Sequence, residues 1–295
     1  MKNKGLIITL ITILSLLAIS LIILMILLIN GRIRIPMFGF SDKVSNELIM
    51  DKIYENKFTN ININASTSDI NILVSNDENI RVVIYGEEKR LEVKDETQEL
   101  YILFEEKKCF GFCFNITKDK IDVYLPANYD KDILVNNNYG NIDIATFKNS
   151  NIEVNEDCGD VHIASGNKVT VNNSYGDIKI DEASEIDVKE SAGDVKVGTV
   201  NVAKIENNLG DIIVESVTSS LDIDDDCGDI KINSLNLEKD SYIVNNLGDI
   251  KIGSTNDIYI DAKTDLGKVK INSNNHKADI TLKLENDCGD IKVNN

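Results

Sequence analysis

Aspartates follow glycines throughout the last 175 residues, and they are the residues of this chain best suited to chemistry. Carboxylate-rich turns of repetitive β proteins bind Ca²⁺ between adjacent coils. The densest group here comprises Asp222, Asp224, Asp225, Asp226 and Asp229. The sequence therefore keeps a calcium-responsive, Asp-rich module as an alternative function, although the Gly-Gly-x-Gly-x-Asp nonapeptide of calcium-binding repeats is absent.

Lysines suggest a simpler role for the same aspartates. They stand three residues beyond the glycine in six repeats, at Lys179, Lys196, Lys231, Lys251, Lys270 and Lys292, and in all of these but the Lys270 repeat an aspartate directly follows the glycine. In stacked coils this spacing predicts a lysine column beside an aspartate column, about 4.8 Å per step. Such a lysine column would offset the repulsion between neighbouring carboxylates. The structural interpretation is therefore favoured over the calcium site, and no metal-binding residues are assigned.

The five cysteines fall into two groups. Cys158, Cys227 and Cys288 each precede a repeat glycine, where other coils carry Tyr, Ala or Leu. We expect these three to be small core residues that lie too far apart for a disulfide or a shared metal. Cys109 and Cys113 flank a glycine at a predicted hairpin tip, and the sequence leaves open whether they are bridged.

Signals for an enzyme are weak. The two histidines, His162 and His276, belong to different coils, and no phosphate-binding loop or nucleophile elbow is present. We therefore predict a non-enzymatic protein without catalytic residues or a cofactor. A carbohydrate-active β-helix enzyme is kept as a less favoured alternative. It is kept because a long acidic solenoid always contains some pair of carboxylates, and two carboxylates are what glycoside hydrolysis needs.

The charge distribution argues against nucleic-acid binding. The net charge is −18, and residues 121–295 hold 33 acidic residues against 16 lysines and no arginine, a net of −17. Such a surface repels phosphate backbones. It would attract cations or basic peptides instead.

A repeated glycine sets the architecture. Its spacing is 17 to 22 residues, at Gly140, Gly159, Gly176, Gly193, Gly210, Gly228, Gly248, Gly267 and Gly289. Apolar residues, mostly branched, alternate before and after each turn, with Ser241 the only polar intruder. The pattern predicts an all-β protein built as a parallel, β-helix-like solenoid of about nine to ten coils, whose glycines take a positive φ. The handedness of the solenoid is not visible in the sequence.

Upstream of the repeats, four segments differ in composition. Residues 1–5 are a short basic amino terminus, and 6–29 carry no charge over a length of about 36 Å, which predicts one transmembrane signal anchor. Residues 30–57 would form a juxtamembrane stalk or a short helix. Residues 58–120 read as an irregular β cap with a degenerate first coil, ahead of the solenoid repeats at 121–295.

Several motifs together resemble the bacterial "putative adhesin" family, a β-strand-repeat domain of unknown function. They are the Ile-x-Ile of Ile61–Ile63, the Ser-Asp-Ile-x-Ile of Ser68–Ile72, the step Leu125-Pro126, and the Gly-Asp-Ile-x-Ile coils that end at Val293. The resemblance covers residues 58–295. It implies a β-repeat fold, frequent membrane anchoring and association with the cell envelope, in some cases with envelope stress. No catalytic residues are carried over.

The sequence thus predicts a membrane-anchored, adhesin-like or scaffold domain of the cell envelope. We expect a single-pass protein of the cell membrane, anchored by residues 6–29, with its carboxyl-terminal domain outside the cytoplasm. Its partner would be an unidentified protein or an envelope glycan. The edge with variable loop lengths is the expected contact surface.

Overall fold

Alternating branched side chains, which favour extended backbone, run through nearly every segment of this chain. The computed structural model describes residues 44–88, 91–95, 98–104 and 118–294. Every regular element in these ranges is a β-strand, which confirms the all-β class. No helix there is long and apolar enough to cross a membrane. The expected anchor 6–29 lies outside the described residues, as do Cys109 and Cys113.

Twenty-one strands make up the described fold. Those before the first repeat glycine are β1 (Leu48–Tyr54), β2 (Asn60–Ala65), β3 (Ser68–Ser75), β4 (Ile80–Tyr85), β5 (Leu91–Lys94), β6 (Glu99–Phe104), β7 (Asp119–Pro126) and β8 (Asp132–Asn137). The central strands are β9 (Ile142–Thr146), β10 (Ile152–Glu156), β11 (Val161–Asn173), β12 (Ile178–Glu190), β13 (Val195–Asn207) and β14 (Ile212–Cys227). The last are β15 (Ile230–Leu235), β16 (Ser241–Leu247), β17 (Ile250–Thr255), β18 (Tyr259–Leu266), β19 (Val269–Ile271), β20 (Thr281–Cys288) and β21 (Ile291–Val293).

The repeats stack as parallel rungs, each consisting of a strand, the glycine turn and a second strand. We name each rung by its glycine. Register is kept from rung to rung, as where Ile178 pairs with Val195 and Ile180 pairs with Val197. The alternating branched residues on both strands of a rung are almost completely buried and form one continuous interior, except in the Gly267 rung, where Val269 is 42% exposed. Their burial is the main source of stability.

Two further rungs precede the glycine repeats. Strands β2–β3 form one, and β6–β7 form the other by pairing in parallel with them. With nine glycine rungs the described stack has eleven rungs, rather than the nine to ten expected. The difference arises because β6 and β7 bury their aliphatic side chains like any other rung instead of closing the end.

Rung order departs from chain order at both ends of the stack. At one end, the β2–β3 rung lies between the β6–β7 rung and the Gly140 rung. At the other, the Gly289 rung lies between the Gly248 rung and the Gly267 rung. In each case the outermost rung is formed by a segment from further inside the chain.

Antiparallel strands extend the β6–β7 rung. Strand β4 pairs with β7 and carries β1 on its other side, while β5 pairs with β6. Residues 48–54 are therefore strand β1, and the short helix considered for residues 30–57 is wrong over this stretch. The physical reason is that Met50, Ile53 and Tyr54 find partners along β4, where strand pairing satisfies the backbone.

The loop after β19 protects the edge of the Gly267 rung. The Asn274 side chain accepts the backbone N–H of Ile260 and donates to its carbonyl, both at 2.8 Å. These bonds occupy the groups that another strand would use. Inside the stack, Ser241 is tolerated because its hydroxyl accepts the Leu221 N–H at 3.0 Å and donates to the Lys239 carbonyl at 3.1 Å.

Candidate functional site

The glycine turn brings neighbouring backbones into close contact. The Gly193 N–H donates to the Leu209 carbonyl of the next rung at 2.9 Å. A Cβ on Gly193 would lie 1.9 Å from the carbonyl oxygen of Gly176 in the rung before it. All nine repeat glycines have a comparable backbone oxygen within 2.2 Å of that position. Close approach between rungs is therefore the reason for glycine at this site.

Positive φ is not common to these turns, so that expectation was wrong for part of the repeat. Left-handed values occur at Gly140, Gly176, Gly210, Gly248 and Gly289, between 135° and 147°. The other four repeat glycines lie outside that region. Two turn conformations thus alternate along most of the stack, and only the steric requirement is shared.

Outside the turn, the aspartates form a hydrogen-bonded ladder. The Oδ1 of Asp177 accepts the backbone N–H of Asp194, and the Oδ1 of Asp194 accepts that of Asp211, each at 3.0 Å. The same bond joins every consecutive pair of rungs from Asp69 to Lys268, through Asn141, Asp160, Asp177, Asp194, Asp211, Asp229, Asp249 and Asp290. We call this set the outer ladder. It supplies side-chain acceptors to N–H groups at the turn.

These bonds favour the charged form of the aspartates. The N–H of Asp211 holds the pKa of Asp194 below its usual value, and the N–H of Asp290 does the same for Asp249. The expected lysine column is present in part. Lys196 lies 3.1 Å from Asp194, and Lys251 bridges Asp229 and Asp249.

Inside the turn, three residues before each glycine, lies a second column of polar side chains. All but Thr264 are buried, and from Asn137 to Asn245 amides and acids alternate. In stack order the column contains Asn137, Glu156, Asn173, Glu190, Asn207, Asp225, Asn245, Asn286 and Thr264. We call this set the inner column. Its amides donate to turn carbonyls, as Asn245 does to Gly228 at 3.0 Å.

Burial raises the pKa values of the acids in the inner column, whereas the pKa values of Asp194 and Asp249 in the outer ladder are lowered. It raises the pKa of Glu156 to about 7 and that of Asp225 to about 7, and it raises the pKa of Glu190 as well. The pKa values of carboxyl groups on the two sides of the turn are therefore shifted in opposite directions.

A groove of about 600 Å³ runs beside the inner column, across the rungs of Gly140 to Gly210. Amides, hydroxyls and carboxyls line it, contributed by Asn136, Asn137, Asn138, Asn155, Glu156, Asp157, Asn172, Asn173, Ser174, Lys189, Glu190, Ser191, Glu206 and Asn208. One wall is an amide ladder in which Asn155 donates to Asn136 at 2.9 Å and Asn172 donates to Asn155 at 2.8 Å. Further along, Lys189 pairs with Glu206 at 3.0 Å.

The aspartates considered for calcium do not converge. Asp222, Asp224 and Asp226 point to solvent from strand β14, whereas Asp225 points inward and is completely buried. Asp229 belongs to the outer ladder, where it accepts the N–H of Asp249. Within the described residues, no group of three or more His, Cys, Asp or Glu side chains could hold a metal ion.

The residues directly before the glycines form an exposed ridge, so the prediction that this position is in the core was wrong. Cys158 and Cys227 are partly exposed, and Cys288 is exposed. In the same position, Leu209 is 55% and Leu266 is 72% exposed. The turn directs this side chain outward because the residue two positions earlier already fills the interior.

The sequence interpretation missed the inner column and the groove. The signal was available, since every position three residues before a repeat glycine holds Asn, Glu, Asp or Thr. The two histidines were correctly placed in different rungs. His162 lies 3.0 Å from Asp181 on the outer surface, while the His276 ring packs against Tyr259.

The profile of the Toastrack DUF4097 family matches residues 58–233 and 165–295 of this chain. A search of curated proteins finds no match. Solved structures that are similar to this chain include a "putative adhesin" from Bacteroides fragilis, 17% identical, with a TM-score of 0.44 over 86% of this chain and 100% of that one. A "putative lipid binding protein" from Parabacteroides distasonis is 15% identical, with a TM-score of 0.48 over 85% and 99%. A "putative cell adhesion protein" from Clostridium sporogenes is 14% identical, with a TM-score of 0.24 over 83% and 98%.

Proposed function

Because the chain belongs to the Toastrack DUF4097 family, we propose that it is a non-enzymatic, adhesin-like interaction domain anchored in the cell membrane. The groove across five rungs is the observation that carries this proposal. It lies at the turn edge, where the segment that joins the two strands of a rung has the same length in all nine glycine repeats. The sequence had favoured the opposite edge, but there the central strands β11 to β14 run without interruption from one rung into the next.

The chemistry of the groove suits a neutral, hydroxyl-rich envelope glycan. Amide groups both donate and accept hydrogen bonds, as sugar hydroxyls do. Asn136 and Asn172 each use one amide N–H within the amide ladder and have a second available to a ligand. The net charge of −17 over residues 121–295 opposes anionic polymers.

A binding role without catalysis is supported by the state of Glu156 and Glu190, the two buried carboxyl groups among the four that line the groove. Glycoside hydrolysis needs two carboxyl groups that reach the substrate. One oxygen of Glu156 accepts the Cys158 N–H and one of Glu190 accepts the Ala192 N–H, while the other oxygen of each is buried. Both groups are therefore held by the turn rather than presented to a ligand.

Calorimetric titration of the full-length chain in neutral detergent with oligosaccharides of equal length tests the proposal. We expect neutral oligosaccharides to bind and uronic-acid oligosaccharides to bind at least tenfold more weakly. Asn172→Ala should weaken binding, whereas Thr218→Ala, in a pair with Asn201 outside the groove, should not. Equal affinity of the Asn172→Ala variant for the neutral ligand would place binding elsewhere.

The proposed topology is one membrane span, residues 6–29, with the repeats outside the cytoplasm. The uncharged run of 24 residues supports it. Cys288 offers a direct test because its side chain is exposed. In a variant whose only cysteine is Cys288, a membrane-impermeant maleimide should label intact cells. Labelling that requires lysis would contradict the orientation.

A further inference from the structure

The inner column alternates amides with acids in a strict order. Glu156 lies between Asn137 and Asn173, and Glu190 lies between Asn173 and Asn207, in successive rungs. All five side chains are at most 5% exposed. Each buried acid therefore has an amide directly above it and another directly below it.

Hydrogen bonds to backbone carbonyls occupy both N–H groups of the central amide, Asn173, and one N–H group each of Asn137 and Asn207. The Nδ2 of Asn173 donates to the carbonyls of Gly159 and Gly176, which uses both of its protons. The Oε1 of Glu190 accepts the N–H groups of Ser191 and Ala192 at 3.0 and 2.9 Å.

The side-chain atoms of these five residues that have no hydrogen-bond partner at all are acceptors. The Oε2 of Glu156, the Oε2 of Glu190 and the Oδ1 of each of the three amides are buried without a donor among the described residues. Acceptors that face one another in a buried column repel, and each would bear the cost of an unmade hydrogen bond. One proton on each acid would convert an acceptor into the donor that the neighbouring amide lacks.

We propose that Glu156 and Glu190 are proton-binding sites, each folded as a neutral carboxylic acid whose Oε2–H donates to the Oδ1 of an adjacent asparagine. Each link adds one proton and one hydrogen bond across neighbouring rungs. The proposal concerns the cohesion of the stack, so it stands whether or not the groove binds a glycan.

The charges around both acids favour the neutral form. Asp157 and Asp69 lie near Glu156, and Asp177 lies near Glu190. These carboxylates would repel a negative charge on either glutamate. The nearby cations are already paired, since Lys189, next to Glu190 in the chain, lies 3.0 Å from Glu206 and Lys118 lies 3.0 Å from Asp69. Burial is the largest influence, and it raises the pKa of Glu156 to about 7 and that of Glu190 above its usual value. The Asn137 amide and the Cys158 N–H act in the opposite direction on the pKa of Glu156, as the Ala192 N–H and the Asn173 amide do on that of Glu190, but burial outweighs them.

The sign of the pH dependence follows from these directions. A pKa raised in the folded state means that the fold binds protons more tightly than the unfolded chain does. The added stability is complete below the unfolded glutamate pKa, about 4.3. It is lost as the pH rises to the folded pKa, which is about 7 for Glu156. For each acid the folding equilibrium constant falls by up to about tenfold per pH unit over this window.

Urea unfolding of the full-length chain in neutral detergent, followed by circular dichroism from pH 4.5 to 8.5, tests the proposal. The double variant Glu156→Gln with Glu190→Gln imitates the neutral acids, because glutamine supplies an N–H where the acid has O–H. We expect its folding equilibrium constant to match that of the wild type near pH 5 and to be at least ten times larger than that of the wild type at pH 8. Asp225 is unchanged in both proteins.

The control is Glu153→Gln with Glu185→Gln, which alters surface glutamates on the same two strands. It should keep the wild-type pH dependence. Carboxyl ¹³C NMR gives a second readout, in which the double variant should lack the two glutamate signals that titrate at the highest pH. An unchanged pH dependence, or a double variant unfolded at pH 5, would overturn the proposal.

Discussion

The outer ladder and the inner column place carboxyl groups a few residues apart on opposite sides of the same turn. In the outer ladder, Asp194 and Asp249 accept backbone N–H groups and have lowered pKa values. In the inner column, Glu156 and Glu190 are buried among amides and have raised ones. The outer ladder loses stability as the pH falls through its lowered pKa values, and the inner column loses it as the pH rises. Position relative to the glycine, rather than residue type, decides which form of the acid supports the fold.

Replacing the glycine between the two columns should break both, and it is the largest effect we predict. Gly193→Val places a branched side chain where Cβ alone would lie 1.9 Å from the Gly176 carbonyl oxygen. We expect a loss of about 3–5 kcal/mol in the free energy of unfolding. Urea unfolding measures it. Ala192→Val adds the same branched side chain one residue earlier, on the partly exposed ridge, and should cost far less. Equal losses would mean that close approach at the glycine is not decisive.

Breaking the outer ladder alone should have an intermediate effect. Asp194→Ala leaves the Asp211 N–H without its side-chain acceptor, and we expect a loss of about 1 kcal/mol in unfolding free energy. Asp194→Asn keeps an acceptor, as Asn141 does for Asp160 at 3.2 Å, and should retain most of that stability. Thermal unfolding of the two variants at neutral pH separates them. If Asn were as harmful as Ala, charge rather than the hydrogen bond would hold the ladder.

The lysines beside the outer ladder should matter least. Lys251→Gln removes contacts with Asp229 and Asp249 at 3.3 and 3.0 Å, but all three side chains are largely solvated. We expect a change of no more than about 0.5 kcal/mol near 0.1 M salt, fading toward 1 M. Unfolding midpoints at the two salt concentrations measure this. A larger effect that persists in high salt would assign the ion pairs a structural role.

The sequence predicts the strands because their signal is local. A branched residue at every second position forms a half-buried strand wherever it occurs, so residues such as Ile178 and Ile180 were correctly assigned to the interior. The family followed from the same repeated motif. Chemical type misled at Cys288 and Leu209, since an apolar residue at the turn was taken as buried while the turn directs it outward.

Rung order could not be read from the sequence. Every rung offers nearly the same pattern, so either the Gly267 rung or the Gly289 rung could lie next to the Gly248 rung. Only the pairing of distant segments decides between them. The groove was missed for a related reason, because its walls combine residues 17 to 19 positions apart that become neighbours only after stacking.

The placement of the Gly289 rung has a consequence for biosynthesis. A ribosome completes residues 259–271 before it makes residues 281–293, yet the later segment must lie between the earlier one and the rest of the stack. The Gly267 rung therefore has no permanent neighbour until translation has passed it. A nascent chain that stalls there, or a product clipped within residues 281–293, would leave that rung detached and its strand edge open to proteases.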